Sequence, residues 1–123
     1  MLDGELANCR LPPDAEVPRW ASAGPVMALA RSSEELSIVC ASASVPDGLT
    51  ASSGWRALRV AGTLEHSMTG ILASLATPLA AAEIPIFAIS TYDTDYVLVP
   101  ADRLPQARVV LLAAGHRLAP TPE

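Results

Sequence analysis

A run of polar residues between two apolar segments near position 90 holds the side chains best suited to binding chemistry. The apolar segments, Ile84 to Ile89 and Tyr96 to Val99, are rich in β-branched and aromatic residues and predict the two strands of a hairpin. The connection contains no glycine, and its consecutive hydrogen-bonding residues are Ser90, Thr91, Tyr92, Asp93, Thr94 and Asp95. A turn needs only one or two Gly, Asn or Asp residues. The loop therefore fits either a binding rim at a strand end or a solvated hairpin tip.

The segment before this hairpin supplies a second feature that is suited to binding. Apolar residues recur at spacings of three and four from Thr69 to Ala82 and predict a helix, with Pro78 causing a kink or an early end. Backbone N–H groups at a helix start bind carboxylates, and Gly70 places no Cβ in the way of a ligand. Asp95 can accept a charge-assisted hydrogen bond from an ammonium group. Together these groups suit a zwitterion, although Gly70 also fits a tight turn and Asp95 a capped hairpin turn.

No group of residues in the sequence has the pattern of a catalytic site. Glu65 and His66 are the nearest to an acid–base pair, but adjacent loop residues rarely converge on one atom, and no recognisable nucleophile accompanies them. Glycines spaced for a phosphate-binding loop are also missing. We therefore expect neither enzymatic activity nor a cofactor.

Composition and charge narrow the classes of partner. The 123 residues are 50% hydrophobic and 17% charged, which predicts a folded core in one domain or in two very small units. The net charge is −5, and the eight basic residues are scattered arginines that form no basic stripe. Nucleic acid is thus excluded as an expected partner.

Cysteine usage and the terminal sequence indicate the compartment. Cys9 and Cys40 lack CxxC spacing, and His66 and His116 are too dispersed to complete a metal site with them. Reduced, partly buried thiols and no metal are expected. The N-terminus lacks a basic region and an apolar stretch, so it does not predict a signal peptide. No apolar run approaches the roughly 20 residues of a membrane span, and we expect a soluble cytoplasmic protein without membrane contact.

The remaining elements are predicted from the periodicity of apolar residues and from the Pro, Gly and polar turn residues that interrupt it. In the first half we predict strands at Leu6 to Leu11, Val26 to Ala30 and Leu36 to Ala41, a turn or two of helix within Asp14 to Trp20, and a linker at Val45 to Gly54. In the second half we predict a strand at Trp55 to Val60, a loop at Ala61 to Ser67, a last helix N-capped by Asp102 and ending before Gly115, and a short strand at His116 to Ala119.

This order of elements predicts a ferredoxin-like α+β sandwich, with two helices on one face of an antiparallel sheet. The first half has the same order in truncated form. We therefore divide the chain into a truncated unit at 1–50 and a complete unit at 51–123. The apolar fraction exceeds what one small sandwich can bury, which predicts a homodimer or a larger assembly.

Several motifs together resemble the ACT-domain family, in particular small bacterial ACT proteins and the CASTOR arginine sensors. The resemblance covers about residues 30–118. It is carried by Glu35–Val39, Trp55-Arg56, Gly62 with the loop to Gly70-Ile71-Leu72, Pro78-Leu79-Ala80 and the segment Ser90–Tyr96.

The resemblance implies tandem ACT-like units that bind an amino acid or a similar small molecule for regulation. Carried over by position, the ligand-binding residues are Gly70, Ile71, Thr91, Tyr92 and Asp95. Tyr92 either stacks on a ligand or covers the edge of the core, and Asp93 is a solvated turn residue or a partner contact. Pro85 stands where, aligned by eye, an arginine-sensing domain has a hydroxyl residue, which argues against arginine itself. The alternative is a ligand-free protein-interaction module that acts through oligomer or partner contacts.

Overall fold

The computed structural model describes residues 4–60 and 70–117, which form six β-strands and two α-helices. They divide into two units, the first comprising Gly4–Trp55 and the second beginning at Arg56. Strand β4 (Thr50–Arg59) runs across this boundary, so each unit contains part of it. Among the described residues, no helix is long and apolar enough to cross a membrane, and no cluster of metal-ligating side chains is present.

The first unit is an antiparallel sheet whose main core covers one face, while Leu6 and Val39 on the opposite face are also buried. Its strands β1 (Leu6–Leu11), β2 (Ala28–Arg31) and β3 (Leu36–Ala41) combine with β4 in the order β2-β3-β1-β4. Side chains alternate between faces along each strand. The covered face packs beneath a 3-10 turn, Arg19–Ser22, and its fully buried residues are Ala7, Cys9, Ala21, Leu36, Ile38 and Cys40.

Two expectations for this unit are wrong. Asp14 to Trp20 forms no helix beyond the 3-10 turn that begins at Arg19, since Pro18 removes a backbone donor just before it. Residues 50–54 are not a linker but the first half of β4. Their small polar side chains look like a linker in the sequence, but Thr50 pairs with Arg10 and Ser52 with Asn8.

The second unit has the predicted order of strand, helix, strand, strand and helix. After β4 come α1 (Ile71–Ala81), β5 (Phe87–Ser90), β6 (Asp95–Pro100) and α2 (Leu104–Ala113), and β6 lies between β4 and β5. The core between helices and strands contains Leu58, Leu79, Ile84, Val97, Val99, Leu104, Ala107 and Leu111. The predicted loop at Ala61 to Ser67 lies outside the described residues, and of the predicted last strand only His116 and Arg117 are described, neither in a strand.

The ends of the two helices test the capping residues that the sequence predicted. Helix α1 continues through Pro78 in its last turn and ends at Ala81. Gly115 follows α2 with φ +95°, and the amides of Gly115 and His116 donate to the carbonyls of Leu112 and Leu111. This is the Schellman pattern, which confirms Gly115 at C′. Asp102 as N-cap is wrong: it lies in a 3-10 turn, Ala101–Arg103, that leads into α2 without a side-chain cap.

Cys9 and Cys40 lie on neighbouring strands of the first unit and are fully buried, free thiols. Cys40 faces Ala7 across the β1–β3 pair and Cys9 faces Ile38, so the two cysteines are diagonal neighbours. Burial raises the pKa of Cys9, an effect that a hydrogen bond with Cys40 partly offsets. Burial, the charge of Cys9 and the same hydrogen bond raise the pKa of Cys40 to about 11. Both thiols are therefore neutral at physiological pH.

Candidate functional site

The hairpin loop of the second unit is closed by its two threonines. The amide of Thr91 donates to the carbonyl oxygen of Thr94 at 2.8 Å. The Thr91 hydroxyl donates to that same carbonyl at 3.1 Å and accepts from the amide of Thr94 at 3.2 Å. Thr91, predicted as a ligand-binding residue, thus uses its hydroxyl to hold the turn.

Thr94 attaches this loop to the end of β4. Its side chain is only 4% exposed, and its hydroxyl donates to the carbonyl oxygen of Val60 at 2.8 Å. The amide of Val60 donates to the carbonyl oxygen of Asp95 at 2.9 Å. The sequence gives no sign that Thr94 differs from the other polar residues of the loop, because its partner lies 34 residues upstream.

Asp95 is the loop residue whose position best suits a ligand. It is the first residue of β6, opposite Ser90, and it is half-buried. Within the described part of the chain, no hydrogen bond or ion pair occupies its carboxylate. A half-buried carboxylate without a described partner can accept charge-assisted hydrogen bonds from a cationic group.

The tip of the loop is solvent-exposed. Tyr92 is 81% exposed, so the interpretation that it covers the edge of the core is wrong. Asp93 is also exposed, as expected for a solvated turn residue or a partner contact. Tyr92 remains accessible for stacking on a ligand, but the fixed groups of the loop are Thr91, Thr94 and the backbone of Asp95.

Gly70 and Ile71 begin helix α1, as predicted. Gly70 is the N-cap residue with φ +79°, a left-handed conformation that glycine adopts readily. A Cβ built on it would meet no atom of the described residues within 4 Å. The first N–H groups of a helix have no partner inside the helix, and glycine has no side chain to cap them.

The predicted site residues all lie in the second unit, but no described contact joins the hairpin-loop residues to Gly70 or Ile71. The hydrogen bonds of Thr94 and Asp95 attach the hairpin loop to Val60, and residues 61–69 connect Val60 to Gly70 in the chain. Those connecting residues, which include Glu65 and His66, lie outside the described part of the chain. Asp95 and the start of α1 are thus the two groups of this unit with chemistry suited to a zwitterion.

Two family models match successive parts of the chain. A model described as an ACT domain matches residues 50–112, which is just over half of the chain. A second model, described as an N-terminal domain, matches residues 4–48.

Similar proteins are found among both sequences and solved structures. The chain is 46% identical over 74 residues to the human cytosolic arginine sensor for mTORC1 subunit 1, covering 58% of this chain but only 22% of the human protein. A crystal structure from Agrobacterium tumefaciens superposes with a TM-score of 0.90 at 34% identity, covering 96% of this chain and 88% of that one. The aspartate kinase of Clostridium acetobutylicum, described as an allosteric enzyme, gives a TM-score of 0.67 at 12% identity, covering 93% of this chain and 34% of the kinase. This last likeness shows the fold alone.

Proposed function

The chain belongs to the ACT-domain family, and we propose that it is a non-catalytic regulatory module that binds a free amino acid or a similar zwitterion in its second unit. The similarity to an arginine sensor supports regulation by a small molecule. Because the chain spans only 22% of that sensor, the ligand and partners of the sensor do not transfer with the similarity.

The half-buried carboxylate of Asp95 is the observation that carries this proposal. Its backbone is fixed by the amide of Val60, while no described residue occupies its side chain. An ammonium group bound there gains a charge-assisted hydrogen bond from a carboxylate whose backbone is anchored to β4. The ligand carboxylate then binds the N–H groups at the start of α1, beside Gly70, where the positive end of the helix dipole favours an anion.

Thermal denaturation in the presence of each standard amino acid tests the proposal. A ligand that binds only the native state at 100 times its dissociation constant stabilises it by about 2.7 kcal/mol. For a chain of this length, that raises the melting temperature by several degrees. We expect at least one amino acid to give such a shift with the wild-type protein.

Two matched variants locate the binding site. Asp95→Asn keeps the shape of the side chain but removes its charge, and should abolish most of the shift. Asp93→Asn makes the same chemical change at an exposed position two residues earlier and should leave the shift intact. Equal responses of the wild type and Asp95→Asn would show that the ammonium does not bind at Asp95.

The ligand-free interaction module remains the second candidate because α2 exposes apolar side chains. Val109 and Leu112 are 66% and 55% exposed, and a spacing of three residues makes them neighbours on the helix surface. We propose that the chain forms a homodimer or a larger assembly in the cytoplasm. Light scattering at tens of micromolar would contradict assembly if the mass equalled one chain. A wild type that no amino acid stabilises, yet which is oligomeric, would favour this second function.

A further inference from the structure

The face of the first unit's sheet opposite the Cys9–Cys40 core carries a polar cavity of about 280 Å³. Side-chain alternation puts Asn8 and Arg10 of β1 on this face, since Cys9 between them points into the core. The antiparallel register adds the facing residues of β3 and β4. The polar lining residues are Asn8, Arg10, Glu35, Ser37, Thr50 and Ser52.

A β-bulge in β4 directly follows the β4 residues that line this cavity. Ser52 is opposite Asn8 while Trp55 is opposite Leu6, so β4 has one more residue than β1 between the two pairs. Gly54 takes up the extra residue with φ +80°. The bulge brings Trp55 to the same face as Ser52, and the indole Nε1–H donates to the Ser52 hydroxyl oxygen at 3.0 Å. The indole thus fixes that oxygen as an acceptor, and the serine's own O–H remains available as a donor.

Neutral polar groups line the cavity, and one hydrogen bond holds two of them together. The hydroxyl of Ser37 donates to the side-chain carbonyl oxygen of Asn8 at 2.8 Å. This bond fixes the orientation of the Asn8 amide, whose NH₂ group can then donate to a bound molecule. The hydroxyls of Thr50 and Ser52 add further donors on the β4 side.

One cation and one anion complete the lining. Arg10 carries the guanidinium group, and Glu35, just before β3, carries a half-buried carboxylate. Within the described residues, neither charged group forms a salt bridge, with the other or with a third residue. A molecule bearing both a carboxylate and an ammonium group can pair with both at once, and guanidinium is suited to bidentate carboxylate recognition.

We infer that this cavity is a second binding site for a small zwitterion of the α-amino acid class, independent of the site proposed at Asp95. The ligand carboxylate pairs with Arg10, its ammonium pairs with Glu35, and its side chain lies against the hydroxyls of β4. The volume is just below the 300 to 1,000 Å³ range of drug-sized ligand pockets, which restricts the ligand to a small metabolite.

Titration of the full chain with each of the standard amino acids, followed by calorimetry and by amide NMR, tests this inference. We expect at least one amino acid to shift the amide signals of Ser37 and Thr50. Arg10→Gln and Glu35→Gln should each weaken that binding at least tenfold, whereas Arg59→Gln, an exposed arginine outside the cavity lining, should leave it unchanged. Circular dichroism verifies that each variant is folded, and the NMR shifts of the wild type test the site without any substitution.

Asp95→Asn distinguishes the two sites. Binding in the cavity should survive Asp95→Asn, while the binding proposed in the second unit should survive Arg10→Gln. Amino-acid binding that is lost in Asp95→Asn and unchanged in both cavity variants would overturn the second site alone. An equal response to acetate or methylamine would also overturn it, since a zwitterion site needs both charges. So would a change of oligomeric state in Arg10→Gln without any amino-acid effect, because the face would then be an interface between copies.

Discussion

Replacing Thr94 by valine isolates the hydrogen bond that attaches the hairpin loop to β4. Valine has nearly the shape of threonine, so the substitution removes the hydroxyl that donates to Val60 and adds a methyl group in its place. The Val60 carbonyl then loses its donor in a setting where the Thr94 side chain is 4% exposed. Removing the donor of a partly buried hydrogen bond, so that its acceptor loses its partner, costs about 1–3 kcal/mol. We expect a loss of about 2 kcal/mol, or about 8 °C in melting temperature for a chain of this length.

Two further variants test whether the hydroxyl, and not packing, causes the loss. Thr94→Ser keeps the hydroxyl and removes one methyl group, which costs about 0.8 kcal/mol. Thr91→Val removes an exposed hydroxyl whose partner groups can be hydrated by water, so its cost should be below about 1 kcal/mol. Urea denaturation of the three variants measures the free energies of unfolding. A serine variant less stable than the valine variant would refute the reasoning, because burial of the methyl group would then outweigh the hydrogen bond.

The remaining predictions concern the first unit's thiols and two glycines. Cys9 and Cys40 should resist a thiol-labelling reagent until the protein unfolds. The pKa of Cys40 is about 11 in the folded state, against an ordinary value of 9.0. The contribution of the neutral Cys40 thiol to stability should therefore be complete below about pH 9 and lost by about pH 11. The Cys40→Ala protein should lose less stability than the wild type over that range. Gly24→Ala should lower the free energy of unfolding, measured in urea, by more than Gly70→Ala does. Both glycines have positive φ, but a Cβ at Gly24 would meet the Ala41 amide nitrogen at 3.0 Å, whereas at Gly70 it meets none of the described residues within 4 Å. Equal costs would show that backbone strain alone sets the penalty.

Local patterns predicted the strands that are short apolar runs between residues that interrupt them. Strands β1 and β3 have the predicted ends because Pro12 and Pro13 follow the first run and a polar turn at 31–35 precedes the second. The first half of β4 was missed because the side chains of Thr50 and Ser52 lie on the polar outer face, and its pairing with β1 bridges about 40 residues of chain. A strand defined by a distant partner leaves little trace in its own composition.

The candidate site shows the same difference between features set by local sequence and features set by distant partners. The hairpin pattern placed Asp95 in the loop, one residue before the strand that it begins in the structure, and the periodicity of the helix placed Gly70 at its start. The burial of Thr94 does not follow, because it depends on the approach of Val60 from another strand. Sequence reasoning thus identified the hairpin loop and the helix start that carry the proposed site, but not the contacts that hold the loop in place.

The hydrogen bonds of the hairpin loop explain why it contains so many polar residues. The hydroxyls of Thr91 and Thr94 are taken up by backbone groups, so these side chains hold the turn and its attachment to β4. Asp93 at the exposed tip is free to be hydrated. Asp95 differs from all three because its backbone is anchored while no described residue occupies its carboxylate. Ligand selectivity in this loop should therefore depend on the charge of Asp95, and substitutions at the two threonines should change affinity only through the position of that carboxylate.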